Sequence, residues 1–387
     1  MSISRRSFIS SSTTAATVAA VSTRRGNAQD ATPSPVAGDP TREERVLAVM
    51  EKHNIPGAIV LHESPETGRW TAALGVADLE TGKPMTTDMH MRIGSITKTF
   101  TATMILQLVD QGVLSLEDTL AGVYPELADV QNADSMTIRH LLTMQSGLVD
   151  PEYPRAIEGD GSTMVPGPSY TPDEILGLVA DQPAAFLPGE GGMYSNINYL
   201  LLGMVAEHLT GTPWRDLVRT GILDEVGLEQ TSLPETSDLP APSPRGYAYP
   251  PPDPREGSQA SPVPPVGPED VTELNPLISG PSGSMISTLG DLRIWLSHLW
   301  EGTLLSPEFQ ETRLDFAGAT DLQGFSYSFG LGAIDGLVGH TGNIDGFSSG
   351  MFYQPQRHTS VIALTNVYPA SADADAAMLL IEAMLAE

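Results

Sequence analysis

The chain has 387 residues, 40% of them hydrophobic, with a formal net charge of -28 and no cysteine. This length can supply one large domain or two lobes with a substantial core. The acidic balance argues against a sequence-independent grip on nucleic acid or anionic lipid, because either would need clustered lysine and arginine. The lack of cysteine excludes disulfides, thiol catalysis and cysteine metal ligands.

The N-terminus has the pattern of an export signal. Residues 4–9 read Ser-Arg-Arg-Ser-Phe-Ile, a twin-arginine pattern, and a mildly apolar run follows over residues 10–23. Asn27 and Ala28 offer a small-residue cleavage site. We therefore expect residues 1–28 to be a twin-arginine export signal and residues 29–41 a disordered linker. The mature protein would be periplasmic or extracellular, without a stable membrane anchor. The alternative is an ordinary secretory leader or a disordered tail.

The first predicted elements are a helix, a hairpin and a second helix. The amphipathic segment 41–54 predicts a helix capped by Thr41. Strand-like runs at 57–63 and 69–78 flank a turn with proline and glycine, which predicts a hairpin. Over Ser95–Gly112 apolar residues recur at helical spacing on one side, and the closing glycine is a stop signal.

The later elements place helices in the middle of the chain and strands near its end. We predict helices at 137–145, 171–181, 197–210 and 213–220, strands at 336–342, 346–355 and 358–366, and a closing helix at 372–387. The stretch 234–268 holds 12 of the 32 prolines and is interpreted as a surface loop over a site.

These elements predict an α/β fold for residues 42–387. An antiparallel sheet built from both chain ends would be flanked by helices, with a mostly α-helical lobe inserted over about residues 95–310. A site would form where the sheet and the helical lobe meet.

Ser95 and Lys98 form a Ser-x-x-Lys pattern in a chain with only three lysines. Positions i and i+3 share one face of a helix, so the two side chains can meet. A serine hydroxyl needs a base to become a nucleophile, and lysine can act as one when desolvation lowers its pKa. Gly94, just before the serine, leaves room for a substrate. By itself the pattern also fits a solvated helix face.

Two further motifs follow in order, namely Tyr194-Ser195-Asn196 and His340-Thr341-Gly342. Together with Ser95-x-x-Lys98 they resemble the motifs of the penicillin-recognising serine hydrolases, the superfamily of class C β-lactamases, secreted D-alanyl-D-alanine carboxypeptidases and related esterases. The resemblance covers roughly residues 42–386 and implies the β-lactamase/DD-peptidase fold.

The resemblance also implies the role of each site residue. Ser95 would be the acylated nucleophile and Lys98 its activating partner, with Tyr194 as general base. Asn196 would orient Lys98 and the substrate amide. The strand edge that binds substrate would comprise His340, Thr341 and Gly342, and the oxyanion hole would be formed by the backbone N–H groups of Ser95 and Asn343. No metal or organic cofactor is implied.

A second serine motif, Gly-x-Ser-x-Gly around Ser348, resembles the nucleophile elbow of α/β-hydrolases. That elbow needs a strand before it and a helix after it, whereas a strand is predicted to follow here. We therefore interpret this segment as a turn that leads into a strand. The histidines other than His340 show no metal-ligand spacing and are expected at surface or satisfied core positions.

The function predicted from the resemblance is D-alanyl-D-alanine carboxypeptidase-like acyl transfer on peptidoglycan-type peptides, through an acyl-serine intermediate. The alternatives are a carboxylesterase, a class C-like β-lactamase or D-amino-acid amidase, and a non-catalytic binding protein with the same fold.

One departure from the family pattern favours a neutral substrate, because relatives that bind a carboxylate often carry a cation near the third motif. Here that position is His340, no arginine lies between Arg313 and His340, and Arg357 cannot be placed from sequence. The expected partner is a small-molecule or peptide acyl substrate, and the oligomeric state stays open.

Overall fold

Strands from both ends of the chain form one eight-stranded antiparallel sheet, in the order β2-β1-β14-β13-β12-β11-β10-β9. The computed structural model describes residues 40–150, 157–158, 163–164, 174, 177, 182–249, 267–273, 279–322, 324–368 and 375–386. All of these belong to one compact unit. The predicted fold class is therefore confirmed.

The large sheet is made of eight strands: β1 (Gly57–Ser64), β2 (Gly68–Gly75), β9 (Thr320–Asp321), β10 (Ser326–Ser328), β11 (Leu331–Ile334), β12 (Leu337–Ile344), β13 (Phe347–Gln354) and β14 (Thr359–Thr365). Short pairs join β3 (Met91–Arg92) to β8 (Ile286–Ser287), β4 (Ile157–Glu158) to β5 (Thr163–Met164), and β6 (Tyr247–Ala248) to β7 (Glu269–Asp270). The predicted hairpin and the three predicted C-terminal strands are confirmed. Strands β9 to β11 were not predicted.

The helices in the described ranges are α1 (Pro40–Lys52), α2 (Thr97–Asp110), α3 (Leu120–Val123), α4 (Ile138–Leu142), α5 (Asn196–Thr210), α6 (Trp214–Val218), α7 (Asp224–Val226), α8 (Gly280–Gly283), α9 (Leu289–Glu301), α10 (Pro307–Leu314) and α11 (Ala376–Leu385). Turns of 3-10 helix occur at Gly94–Ile96, Pro125–Leu127 and Pro355–Arg357, and a π-helical segment, Arg219–Leu223, lies between α6 and α7. None of the helices in this part of the chain is long and apolar enough to span a bilayer.

The two faces of the sheet are covered by different layers of helices. Side chains alternate along a strand, so Ala58 and Val60 of β1 join a core with α1 and α11, while Ile59 and Leu61 join the larger core with the central helices. Helix α9 packs against β1, β13 and β14 on this second face. The helical insertion therefore shares a core with the sheet, and the site residues lie where the two meet.

Two details of the predicted helices are wrong. Helix α1 begins at Pro40, so Thr41 lies inside its first turn and is not the cap; proline suits the first position because it has no N–H to leave unpaired. Helix α2 is not one-sided, because the residues from Thr97 to Leu106 are all buried. Its end is as predicted, with Gly112 in the left-handed region at φ 71°.

Several predictions fall outside the described residues. These are the export signal at 1–28, nearly all of the linker at 29–41, most of the helix at 171–181, and residues 250–266 of the proline-rich stretch. Of the predicted helix 171–181, Glu174 and Gly177 are described, and both are helical.

Candidate active site

Ser95 lies in the middle of the 3-10 turn Gly94–Ile96, immediately before α2, rather than in the first turn of an α-helix. At such a start the backbone N–H groups have no partner within the helix. The turn packs tightly on β12, because a Cβ added to Gly94 would come 2.7 Å from the backbone nitrogen of Asn343. Gly94 also adopts φ 49°, which favours glycine. The two predicted oxyanion-hole amides, those of Ser95 and Asn343, are thus adjacent.

Lys98 is fully buried, and its amine contacts three oxygens. Nζ lies 3.0 Å from Oγ of Ser95, 2.6 Å from Oδ1 of Asn196 and 2.8 Å from the carbonyl oxygen of Ser282. As an ammonium group, Nζ donates to all three; as a neutral amine, it can accept the Ser95 proton. The predicted contact between Ser95 and Lys98 is present.

The pKa of Lys98 suits a base at neutral pH. Burial lowers the pKa of this amine to about 7, and the negative charge of Asp150 opposes part of the lowering. The rings of Tyr194 and Tyr199 lie 4.9 and 5.6 Å from Nζ, at distances that stabilise a cation. Lys98 can therefore exchange a proton near neutral pH.

Tyr194 is partly exposed, but its hydroxyl is enclosed. Although 37% of its surface is exposed, the hydroxyl is buried and hydrogen-bonds with Ser95. Burial raises the pKa of this phenol well above its ordinary value, more than the Ser95 contact lowers it. Tyr194 is therefore neutral at neutral pH, and the order of the two pKa values favours Lys98 as the proton acceptor.

Asn196 begins helix α5 and lies between Lys98 and Asp150. Its Oδ1 accepts from Lys98, and its Nδ2 donates to Oδ2 of Asp150 at 2.7 Å. The predicted role of Asn196 in orienting Lys98 is consistent with these contacts. Asp150 was not predicted.

His340 is on β12 with only 1% of its surface exposed. Nδ1 faces the carbonyl oxygen of Thr341 and therefore carries the hydrogen, while Nε2 lies 3.2 Å from the hydroxyl of Tyr327. Burial, together with the charge of Lys98, lowers the pKa of His340 to about 3. The imidazole is thus neutral, and it is not a cation that could hold a substrate carboxylate.

The C-terminal half of β12 has an open edge. Strand β11 pairs only with residues 337–339, whereas β13 pairs with β12 from Val338 to Ile344. Residues 340–344 therefore have a neighbouring strand on one side only, within the part of the chain that the structure describes. A Cβ on Gly342 would come 1.9 Å from the carbonyl oxygen of Ile93, so glycine is needed for the close approach of Ile93.

A cavity of about 390 Å³ lies along this edge. Its described lining combines the polar residues of all three motifs with an apolar wall, and consists of Ser95, Tyr194, Asn196, Phe325, Ile334, His340, Thr341, Asn343, Phe352 and Met378. The Phe325 ring lies over Gly332, where a Cβ would come within 1.7 Å of the ring. Apart from Gly342, which is adjacent, all the predicted substrate-binding residues line this cavity.

Two sequence candidates lie elsewhere. Ser348 is buried on β13, where its hydroxyl donates to Asp375 at 3.0 Å. A strand follows this serine, as predicted, and the segment is not a nucleophile elbow. Arg357 lines a separate surface cavity with Arg42 and Arg45, and so does not supply a cation to the site. No group of three or more metal-ligand side chains occurs in the described ranges.

A serine activated by a buried lysine, a neighbouring tyrosine and paired backbone amides defines a serine hydrolase of the penicillin-recognising class. A family model described as Beta-lactamase matches residues 43–384. The chain therefore belongs to the Beta-lactamase family.

Individual relatives include, by name, a penicillin-binding protein and an esterase. The chain is 29% identical to penicillin-binding protein 4 of Amycolatopsis lactamdurans over 335 residues, 80% of this chain and 79% of the other. It is 32% identical to esterase EstB of Burkholderia gladioli over 190 residues, 46% and 47% of the two chains. A crystal structure of a D-stereospecific amidohydrolase from Streptomyces sp. aligns with TM-score 0.72 and 27% identity, covering 88% of this chain and 98% of the other.

Proposed function

We propose that this protein is an exported serine hydrolase whose acyl donors carry no charge beside the scissile bond, such as amides and esters of N-acylated D-amino acids. One observation carries the proposal: no described side chain that lines the cavity is ionised at neutral pH, since both His340 and Tyr194 are neutral. A carboxylate in this cavity would lose hydration without gaining an ion pair. Similarity to a D-stereospecific amidohydrolase supports the amide class.

In the proposed reaction Ser95 Oγ attacks the acyl carbon while its proton passes to the neutral amine of Lys98. The charge that develops on the carbonyl oxygen is stabilised by the N–H groups of Ser95 and Asn343. The proton then passes from Lys98 through Tyr194 to the leaving amine or alcohol, which leaves an acyl ester on Ser95. Water attacks this ester, gives its proton to the same path and releases the acid and free Ser95.

The apolar wall supports an acyl group with an apolar substituent. Phe325, Ile334, Phe352 and Met378 together form the apolar part of the cavity lining. Burial of such a substituent stabilises the complex by about 25 cal/mol for each Å² removed from water.

D-alanyl-D-alanine carboxypeptidase-like activity is the second candidate. It is favoured by the open edge of β12 at residues 340–344, which can pair with an extended peptide, and by similarity to a penicillin-binding protein. Its substrate ends in a carboxylate, for which the described cavity lining offers no cation. Export by the twin-arginine route belongs to both candidates and depends on residues 4–9.

A matched pair of substrates separates the two candidates. N-acetyl-D-Ala-D-Ala and its C-terminal amide share the scissile bond and differ only in the terminal charge. We expect kcat/KM to be at least about tenfold higher for the amide, which corresponds to about 1.4 kcal/mol of transition-state binding. A tenfold preference for the free carboxylate would overturn the proposal in favour of the carboxypeptidase.

The variant Ser95→Ala tests the nucleophile. We expect it to lose turnover of both peptides and of p-nitrophenyl esters by about 10⁴-fold or more, and to form no adduct with penicillin by intact mass. If the wild type and this variant hydrolyse these compounds equally, Ser95 is not the nucleophile. If neither turns over any of them but both bind the peptides, the protein is a binding protein.

A further inference from the structure

Asp150 connects three groups at the start of helix α5. Its Oδ1 accepts from the hydroxyl of Ser195 at 2.7 Å and from the backbone N–H of Ile197 at 3.2 Å, and its Oδ2 accepts from Nδ2 of Asn196 at 2.7 Å. Ser195 is the N-cap residue of α5, yet its side chain does not cap the helix. Asp150 supplies the cap and places a negative charge at the positive end of the helix.

These bonds decide which way the Asn196 amide points. A carboxylate only accepts hydrogen bonds, so the group that faces Asp150 must be the NH₂ of the amide. The amide oxygen is then turned to Lys98, at 2.6 Å from Nζ. With the amide reversed, NH₂ would face the hydrogens of Lys98, and this contact would be lost.

We propose that Asp150 is a positioning residue for the proposed reaction: its carboxylate fixes the Asn196 amide so that the amide oxygen holds the Lys98 amine against Ser95. Asp150 does not line the cavity, so it acts through Asn196 and not on the substrate. The proposal rests on the proposed function, because it requires Lys98 to take the proton of Ser95.

The loop that carries Asp150 is anchored to the same helix. The hydroxyl of Ser146 donates to Oδ1 of Asn198 at 2.6 Å and accepts from the N–H of Leu148 at 3.1 Å. The sulfur of Met144 lies 3.2 Å from Nδ2 of Asn198. These residues are all buried, so the loop holds Asp150 in a fixed place beside the start of α5.

The other titratable groups around Lys98 are neutral. Tyr194 and Tyr199 face Nζ with their rings, and burial raises the pKa of both phenols well above the ordinary value. His340 is neutral because its pKa is about 3. The cation Arg313 acts on Tyr199 and donates to the hydroxyl of Thr103. Asp150 is the charged group that acts on Lys98 among the described residues.

The charge of Asp150 therefore gives the proposal a signature in the pH profile. This charge raises the pKa of Lys98 against the larger effect of burial. Because the neutral amine is the active form, kcat/KM should rise with pH through about 7 in the wild type. Removal of the charge should move this rise to lower pH.

The test is a reciprocal exchange of the pair. In Asp150→Asn, the NH₂ group of the introduced asparagine faces Asn196. The Asn196 amide therefore turns over, and its own NH₂ group then faces Lys98. We expect kcat to fall by about 10- to 100-fold, as for other supporting contacts, with little change in KM. The rise of kcat/KM with pH should occur at lower pH than in the wild type.

In the double variant Asp150→Asn with Asn196→Asp, the pair is reversed. The carboxylate introduced at position 196 can again accept from Lys98. We therefore expect kcat at alkaline pH to be about tenfold higher than in Asp150→Asn, a partial recovery of the 10- to 100-fold loss.

Asp291→Asn is the matched control. Asp291 also accepts from a backbone N–H, that of Gln230, and from a hydroxyl, that of Thr231, but it does not line the cavity. The variant Asp291→Asn should lower Tm and leave the pH profile of kcat/KM unchanged. If Asp150→Asn behaves in the same way, or if the double variant recovers no activity, Asp150 is only a helix cap and the proposal is wrong. A failure of the proposed function would be seen instead as full activity in Ser95→Ala.

Discussion

At the scale of single residues, His340 shows that burial decides what an ionisable side chain can do. Its ring is enclosed between Tyr327, the Thr341 carbonyl and the neighbourhood of Lys98. A second positive charge at this place would be unfavourable both because it is buried and because Lys98 is near. The neutral ring instead donates to the Thr341 carbonyl, and its other nitrogen contacts the hydroxyl of Tyr327 on β10, which itself donates to Tyr199.

This neutral histidine should make the fold sensitive to acid. The pKa of His340 is lowered from 6.5 to about 3 on folding, so the unfolded chain binds a proton that the folded chain does not. Its stabilising contribution is complete above pH 6.5 and is lost as the pH falls through 6.5 towards 3. From about pH 7.5 to pH 5, we expect a loss of about 2 kcal/mol, at about 1.4 kcal/mol for each pKa unit.

Urea unfolding of the wild type and of His340→Asn at these two pH values measures the loss. Asparagine is polar and does not titrate, so the wild type should lose about 2 kcal/mol more than the variant over this range. Equal losses in the two proteins would contradict a neutral, buried His340.

The individual residues of the site differ in how far the sequence predicts them. Ser95 and Lys98 are three positions apart, and local helical geometry brings them together whatever the rest of the fold does. Asp150 is 45 residues from Ser195 and is one of 48 acidic residues, so no local spacing marks it. The neutral state of His340 also depends on packing between distant elements, and residue type alone does not predict it.

At the scale of elements, the site depends on a 3-10 turn that packs directly on a strand. Gly94 and Gly342 lie at this contact, each close to backbone atoms of the other segment. The contact places the N–H of Ser95 next to that of Asn343. Side chains at either glycine would separate the turn from the strand, because the nearest atoms they would meet belong to the backbone.

Gly342→Ala should therefore damage the site more than the fold. The new Cβ would lie 1.9 Å from the carbonyl oxygen of Ile93 and 2.5 Å from Oγ of Ser349, so the turn must shift. We expect kcat/KM to fall by about 100-fold, since a shift of one oxyanion-hole donor has effects of this size. Steady-state kinetics and thermal unfolding measure the two effects.

Gly318→Ala is the control, because a Cβ there meets nothing within 4 Å and φ is not positive. It should retain wild-type kcat/KM and Tm. Wild-type kinetics in Gly342→Ala would show that the turn and the strand need not approach so closely.

The elements themselves are predicted unevenly. Strands β12 to β14 are long and rich in β-branched and aromatic residues, so their pattern is strong. Strands β9 to β11 have two to four residues each, which is too short for a period to be recognised. The 3-10 turn before α2 is set by contact with β12, and a helical pattern cannot distinguish it from the first turn of an α-helix.

At the scale of the whole molecule, the sheet joins the two ends of the chain. The presence of strands at both ends predicts a shared sheet, but the pairing of β1 with β14 and the order of strands follow from long-range packing. Helices α1 and α11 cover the same face of this sheet and share one core. The active site depends on this sheet for the position of β12, and Met378 of α11 lines its cavity.

Helix α1 should therefore be necessary for folding although it is far in sequence from every motif. Val46 and Met50 are buried in the core shared with α11. Arg42 and Arg45 donate to the carbonyl oxygens of Met384 and Ala383, at 3.1 and 2.8 Å. Loss of the two apolar side chains alone costs about 1.5–3 kcal/mol each, out of a typical total stability of about 5–15 kcal/mol.

Two N-terminal deletions test this. A chain without residues 1–39 keeps all of α1 and should have the Tm and kcat/KM of the longer protein. A chain without residues 1–56 lacks α1 and exposes the apolar face of α11, so we expect it to aggregate or to unfold roughly 10 °C lower. Solubility, circular dichroism and ester hydrolysis report on both. Full activity and unchanged Tm in the chain without residues 1–56 would show that α1 is dispensable. A loss of activity or Tm in the chain without residues 1–39 would contradict the expected linker at 29–41.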